Sequence, residues 1–369
     1  MKLTDIIKQQ NTACGEGTMF KGTGLARDPH RIPTGVFPVD FITAGGLPLW
    51  GSTCFWGGES GGKTTLAINT VKTAQDLCFT CFRHKSLCTC SKSPLIMRGV
   101  WGDVEGTLDR TWASRIGADP EEYVVALADY GEQHINIADS ALMADDCGLY
   151  VLDSLAALVP SAEMEGSSEE NFIALQTRLI GRAIRKLKQR LIKERKNEHP
   201  CAILFTNQLR INIMQVFGDP ESMTGGKAMM HEFSLLLRCN QKALKKKSSD
   251  DKYRDDKRKK NYAARHIVSV RKFKVLTLAG VCEYIRMVED FDDLVAGQVN
   301  DFASMMTQAR EYGIVRKKGS KWMYFDKQAS KLDNIVSVWK KHDHERIRTM
   351  QATVEAAKRR IMGDRDELT

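Results

Sequence analysis

Residues 57–66 read GGESGGKTTL. Gly57, Gly62, Lys63 and Thr64 fill the pattern G-x-x-x-x-G-K-[ST], whose chemistry is that of a phosphate cradle. Glycines let the backbone curl until its N–H groups point inward at anionic oxygens. The whole loop, Gly57, Gly58, Glu59, Ser60, Gly61, Gly62, Lys63, Thr64 and Thr65, is expected to bind a nucleotide. Lys63 would reach the β and γ phosphates, and the Thr64 hydroxyl would ligate Mg²⁺. Such a site also needs carboxylates. Asp153 ends the apolar run GLYVLD, where a metal-site aspartate belongs. Glu105, in VWGDVEG, is placed to activate the attacking water. Taken singly, a strand-end acid is as readily a helix cap or a solvated loop residue; the phosphate loop is what selects the catalytic reading.

A second constellation is CFTCFRHKSLCTC. Cys78, Cys81, Cys88 and Cys90 are spaced C-x2-C, six residues, then C-x-C. Four thiolates so close can close a tetrahedral shell, and Zn²⁺ favours that chemistry in a reducing compartment. His84 is an alternative fourth ligand, and four free or redox-active thiols are the competing reading.

These residues need a frame. The loop is preceded by the strand-like STCFW and followed by the helix-like TTLAINTVKTAQ, the strand–loop–helix context a phosphate loop requires. Strand candidates fall at 52–57, 97–104, 123–128, 148–153, 201–207, 233–239, 266–274 and 281–288. Several are nearly continuous apolar runs, as expected of parallel strands covered on both faces. The longest helix candidate starts near Asn171. Phe172, Leu175, Leu179, Ala183, Leu187 and Leu191 form its apolar stripe, opposite Arg178, Arg182, Arg185, Lys186 and Arg190. The first 34 residues offer one brief helix, Thr4 to Gln10, and a smaller unit begins near Phe291. Residues 241–260 hold ten Lys or Arg against four Asp, which reads as a long basic hairpin tip.

The chain of 369 residues carries a formal net charge of +9, which favours a polyanionic partner, nucleic acid first. No apolar run is long enough to span a bilayer, and MKLTDIIKQQ has no signal-peptide apolar region, so a soluble cytoplasmic protein without a membrane partner is expected. Its ten cysteines are not expected to form disulfides there.

In order along the chain, PTGVFPVDFITAGGLPLWG, GGESGGKTTL, GDVEGTLDRTWASRIGAD, YVLDSLAALVPSAEMEG, FTNQLRINIMQVFGDPESMTGGKA and SVRKFKV resemble the RecA-type recombinases, in a divergent form of bacterial or phage type. The segments cover residues 33 to about 290. The resemblance implies an α/β fold: a RecA-like P-loop ATPase core with a central, mostly parallel sheet flanked by helices. It divides the chain into an N-terminal oligomerisation segment (1–34), the core (35–290, with the cysteine insertion at 78–90 and the basic hairpin at 241–260) and a small α+β C-terminal domain (291–369). It implies Glu105 as general base, Asp153 as metal-site carboxylate, Asp109 and Trp112 as adenine contacts, and Gln208 as the sensor of the γ-phosphate. Lys272 and Lys274 match lysines that reach the neighbouring subunit's ATP. Two loops, from about Glu163 to Ala174 and from Gln208 to Lys227, match DNA-contacting loops, with Arg178, Arg185, Arg210, Phe217, Gly225, Gly226 and Lys227 against the strand. The implied cofactors are ATP and Mg²⁺, beside the structural Zn²⁺ read from the cysteines. The implied partners are single-stranded DNA, a homologous duplex, further copies in a helical filament, and single-strand-binding and mediator proteins. An adaptor that binds ATP and DNA without strand exchange, and a RecA-core helicase, are the rival activities. Three departures stand out: the N-terminal helix is short for subunit docking, the tail GDRDELT is only mildly acidic, and the basic hairpin at 241–260 is larger than the family's.

Overall fold

The computed structural model describes all residues except 1, 23–28, 91–94, 166–171, 212–220, 245–250, 256–259 and 363–369. Helix α1 (Leu3–Cys14) opens the chain. The core runs α2 (Phe37–Ile42), β1 (Ser52–Gly57), α3 (Lys63–Ala74), β2 (Arg98–Asp103), α4 (Arg110–Ile116), β3 (Tyr123–Ala126), α5 (Gly131–Ala141), β4 (Cys147–Asp153), α6 (Phe172–Lys196), β5 (Ala202–Ile211), β6 (Glu221–Met223), β7 (Leu235–Lys242), β8 (Ala263–Phe273), β9 (Val281–Met287) and β10 (Val299–Asn300). The chain then forms α7 (Phe302–Glu311), β11 (Val315–Lys318), β12 (Lys321–Tyr324), β13 (Lys327–Ala329), α8 (Leu332–Lys341) and α9 (Asp343–Met362).

The strands of the core form one ten-stranded sheet in the order β10-β9-β8-β7-β1-β5-β4-β2-β3, with β6 paired to β5. The six from β7 to β3 are mutually parallel, and β8, β9, β10 and β6 add antiparallel pairs. Every residue of β1 and β4 is buried, which is why both read as unbroken apolar runs. Successive side chains go to opposite faces. Phe55, Leu149, Val151 and Leu204 enter the layer that includes α3 and α4, whereas Trp56, Tyr150, Leu152 and Phe205 enter the layer of α5 and α6. The predicted stripe of α6 is buried at Leu179, Ala183, Leu187 and Leu191.

The C-terminal unit has its own core of Phe302, Met305, Ile335 and Trp339, and Phe37 from α2 enters it. Buried Asp301 fastens the two together. It accepts from the Phe37 amide at 2.8 Å and from the Arg346 guanidinium at 2.9 and 3.0 Å.

Two expectations differ from the structure. Helix α1 passes the expected end at Gln10 and reaches Cys14, because no breaker precedes Gly15, and it buries none of its residues. The basic stretch is more than a hairpin tip. A 3₁₀ turn at Asp251–Tyr253 and a short ladder of Arg254–Asp255 with Lys260–Asn261 fold it back, and Tyr253 is buried with Leu244, Ala263 and Met287. Its Lys245, Lys246 and Lys247 lie outside the described residues. Among the described residues no helix is long and apolar enough to cross a membrane.

Candidate nucleotide site and cysteine cluster

A parallel sheet delivers its strand ends to one edge, and ligands bind at that edge. Here the carboxyl ends of β1, β4, β2 and β5 bring together the phosphate loop, Asp153, the segment after Asp103, and Gln208. The loop leaves β1 at Gly57, where a Cβ would stand 2.0 Å from the Cys239 carbonyl oxygen; only glycine lets the chain turn so close to β7. The Lys63 ammonium curls back over the loop and donates to the carbonyls of Gly57 at 3.2 Å and Gly58 at 2.7 Å. It therefore stands at the rim of the cradle as a cation held only by neutral acceptors.

The Thr64 hydroxyl donates to Asp153 Oδ2 at 2.9 Å, and the Thr206 hydroxyl donates to the other carboxylate oxygen. Asp153 is buried; burial pushes its carboxyl above the usual range, while the bonds from Thr206 and Thr64 pull the other way. A hydroxyl and a carboxylate in contact at a helix N-terminus are the hard oxygen donors that Mg²⁺ takes, so these residues fit that ion. Glu105, two residues past β2, accepts from the Ser154 hydroxyl at 2.5 Å and from the Gln208 amide at 3.5 Å. The proposed base, the metal-site strand and the proposed sensor are thus hydrogen-bonded neighbours. Asp103 shapes the turn that carries Glu105, accepting from the amides of Thr107 at 3.2 Å and Leu108 at 3.0 Å.

Asp109 is the N-cap of α4, accepting from Thr111 at 2.7 Å and Trp112 at 3.1 Å. Trp112 packs half-buried on the core, with the Arg286 guanidinium 5.8 Å from its ring centre. The loop glycines Gly61 and Gly62 meet His266, a buried residue of β8.

Gln208 is the first exposed residue after the buried part of β5, which ends at Asn207. Its backbone N–H donates to the Asn207 side chain at 2.8 Å, and the Asn207 side-chain amide in turn donates to the Thr224 carbonyl at 3.0 Å, at the return of the second loop. Arg210 donates to the Thr224 hydroxyl at 3.3 Å. Gly225 and Gly226 follow β6, and Lys227 opens a 3₁₀ turn at Lys227–His231. Phe217, like residues 166–171 of the first loop, lies outside the described residues. Arg178 and Arg185 are exposed on α6, whereas Lys186 and Arg190 of the same face are drawn to Asp139. On β8, Lys272 donates to the Met230 carbonyl of its own chain at 3.2 Å, and Lys274, just past the strand's end, is exposed. Ser154, Thr206, Asn207, Thr224 and His266 escaped sequence reasoning; adjacency of Ser154 to Asp153 and of Asn207 to Gln208 was the signal available.

The Sγ atoms of Cys78, Cys81, Cys88 and Cys90 all lie within 4.8 Å of one another. Burial pushes the Cys78 thiol up, but the amides of Cys81 and Thr80 and the neighbouring thiols outweigh it and bring it down to about 7. Backbone N–H groups aimed at a sulfur suit a thiolate, and four such sulfurs fit a tetrahedral Zn²⁺. The described residues place His84 elsewhere: its Nδ1 meets the Ser86 hydroxyl at 2.7 Å, and the ring groups with Asp76 and Asp343. All ten cysteines are free of disulfides.

A strand–loop–helix cradle, with a buried carboxylate on the next strand but one, defines a P-loop nucleotide-binding core. The model of the RecA N-terminal domain matches residues 1–275. The chain is similar to the protein RecA of Arthrospira platensis, at 30% identity over 324 residues, 87% of this chain and 78% of that one. Trichodesmium erythraeum RecA matches at 30% over 87% of this chain and 79% of its own. The mitochondrial DNA repair protein recA homolog of Dictyostelium discoideum matches at 30% over 88% and 64%, respectively. The chain belongs to the RecA family of recombinases, and its activity is of the recombination and repair kind.

Proposed function

We propose that this chain is a DNA-dependent ATPase that forms filaments on single-stranded DNA and pairs that strand with a homologous duplex. The observation that carries the reading is the contact of Gln208 with Glu105 on one side and, through Asn207, with Thr224 of the second loop on the other. One residue thus touches the hydrolytic carboxylate and adjoins the base of the loop assigned to DNA.

Bound ATP with Mg²⁺ supplies the phosphoanhydride bond and the metal charge. The chain's own residues do the rest. Lys63 swings from the loop carbonyls to the β and γ phosphates. Thr64 and Asp153 would hold the Mg²⁺. Glu105, hydrogen-bonded by Ser154, takes a proton from the attacking water. The Gln208 amide, 3.5 Å from Glu105, is free to meet the γ-phosphate instead. That exchange of partners would report the nucleotide state to the loop, as a differential contact must.

Filament assembly is supported at two surfaces. Helix α1 has no fully buried residue. At the sheet's edge, β3 and the residue after it leave Val124, Val125 and Leu127 exposed, an unpaired apolar edge of the kind that pairs with another chain. The exposed Arg178 and Arg185 and the glycines 225 and 226 suit a phosphodiester backbone. The cysteine cluster is proposed to hold one structural Zn²⁺.

Strand exchange between a circular single strand and a matched or unmatched duplex tests the activity. Exchange is expected with the matched duplex alone; ATP turnover without exchange would favour the adaptor reading. Glu105→Gln is expected to bind ATP and to hydrolyse it about 10²–10⁴-fold more slowly, the usual loss for a general base. A parental rate in that variant would remove Glu105 from the role.

A further inference from the structure

His266 has no part in the reading above, yet it is fully buried and both its ring nitrogens are engaged. Arg286 Nε donates to His266 Nε2 at 3.2 Å. Arginine has no acceptor, so Nε2 must present its lone pair and the ring proton sits on Nδ1. That Nδ1–H faces the Gly61 carbonyl at 3.1 Å. The imidazole is thereby a donor of defined tautomer. Burial and the Arg286 charge lower its pKa to about 4, so it stays neutral near pH 7.

The bonded carbonyl belongs to the peptide that also carries the Gly62 N–H. Across a trans peptide these two groups point in opposite directions. Holding the carbonyl toward β8 aims the Gly62 N–H away from it, on the side where the loop receives a phosphate. The fit is tight. Gly62 has φ +87°, and a Cβ there would lie 2.9 Å from imidazole Nδ1 and Cε1. Tyr284 stacks on the ring at 5.2 Å and holds its plane. On the far side, the guanidinium that sets the tautomer is the one lying over Trp112.

We propose that His266 is a positioning residue of the nucleotide site: it clamps the Gly61–Gly62 peptide of the phosphate loop and, through Arg286, ties that loop to the Trp112 wall. The inference rests on the reading of residues 57–65 as an ATP site. A chain of contacts, Gly61 to His266 to Arg286 to Trp112, then links the phosphate end of the site to its base end with no nucleotide in between.

The pair His266→Asn and His266→Leu tests it, because the two side chains are nearly equal in size. Asn places an amide N–H where Nδ1 stood; Leu places a methyl there. The full chain without DNA is titrated with ATP and with inorganic tripolyphosphate. Leu is expected to weaken both ligands about tenfold, the size of one lost hydrogen bond, and Asn to stay within about threefold of the parent. In turnover, the Leu variant is expected to raise KM and spare kcat, since a loop N–H grips ground and transition states alike. Equal affinities for the Asn and Leu variants would overturn the proposal, as would a Leu variant that loses kcat with KM unchanged. Should Leu fail to melt cooperatively, His266→Met is read against Asn in the same way. A parent chain that binds neither ATP nor tripolyphosphate would instead bring down the nucleotide reading, and this inference with it.

Discussion

The nucleotide site and the cysteine excursion both adjoin α3, one at its N-terminus and the other beyond its C-terminus, yet they are built by different physics. Lys63, Glu105, Asp153 and Gln208 come from four widely separated segments, and a continuous parallel ladder fixes their spacing. Asp153 is held by Thr64, Glu105 by Ser154 and Gln208, and Lys63 by the carbonyls of its own loop. The cysteines are the reverse case. They come from one short stretch whose backbone support, among the described residues, is local: the bridges Leu77–His84 and Cys78–Ile96, a turn closed by the Phe82 N–H on the Cys78 carbonyl, and a 3₁₀ turn at Lys85–Leu87. What gathers the four sulfurs is not the sheet but their own convergence, and a metal is what stabilises such a convergence. The lesson is that a preorganised site can lose a functional residue and keep its shape, whereas a site closed by its ligand loses both together.

Lys63 carries the most severe of the expected losses. Lys63→Ala is expected to abolish ATP turnover, because the β and γ phosphates lose their only loop cation. Melting should change by no more than about 1–2 kcal/mol, since half-buried Lys63 gives up two bonds to the loop carbonyls of Gly57 and Gly58. Turnover with DNA and the melting temperature, measured on one sample, check both halves. Turnover near the parental rate would separate the loop from hydrolysis.

The excursion should answer with the opposite pattern. The purified chain is expected to carry about one zinc, and Cys78→Ser with Cys81→Ser should release it. Cys78 is buried beside Phe79 and Leu77 of the core, so the loss should lower the melting temperature while ATP affinity stays within a few-fold. Elemental analysis, melting and nucleotide titration decide it. A parent chain without zinc, or a double variant with unchanged melting, would make the cluster four ordinary thiols.

How far the sequence disclosed this arrangement follows from the same contrast. The phosphate loop, Asp153 and Glu105 were legible because each sits at the end of an apolar run, and run ends converge in a parallel sheet. The cysteines were legible from local spacing. Thr206, Asn207 and His266 were not, because their roles depend on which strands are neighbours: Thr206 reaches Asp153 only since β5 lies beside β4, and His266 reaches Gly61 only since β8 lies next to β7. Strand order is set by the whole fold and leaves no local mark. The span of α1 was missed for a humbler reason: helix ends without a breaker are read short. Tyr253 was missed because a lone aromatic within a charged run carries no periodicity.

The smallest expected effect separates the two regions by pH. His266 is depressed to about 4 in the folded chain by burial and the Arg286 charge, against about 6.5 when unfolded. As pH falls, the unfolded chain takes up this proton first. The contribution of neutral His266 to stability is therefore fully present above about 6.5, is lost progressively as pH drops toward 4, and changes no further below that. A shift of this size is worth at most about 3 kcal/mol. The groups facing the ring are Arg286 and Tyr284 from β9 and the Gly61 carbonyl from the loop, and Arg286 holds its charge throughout the window. Denaturant melts of the parent and of His266→Asn between pH 7 and 4 measure it. The parent is expected to lose more stability than the variant over that window, and the difference should vanish above pH 7 apart from a constant offset. Parallel curves would mean that His266 takes up its proton in the folded chain at the same pH as in the unfolded one. Burial and the Arg286 bond would then not hold the ring neutral, and the preorganisation credited to the nucleotide site would lose its link to the base wall.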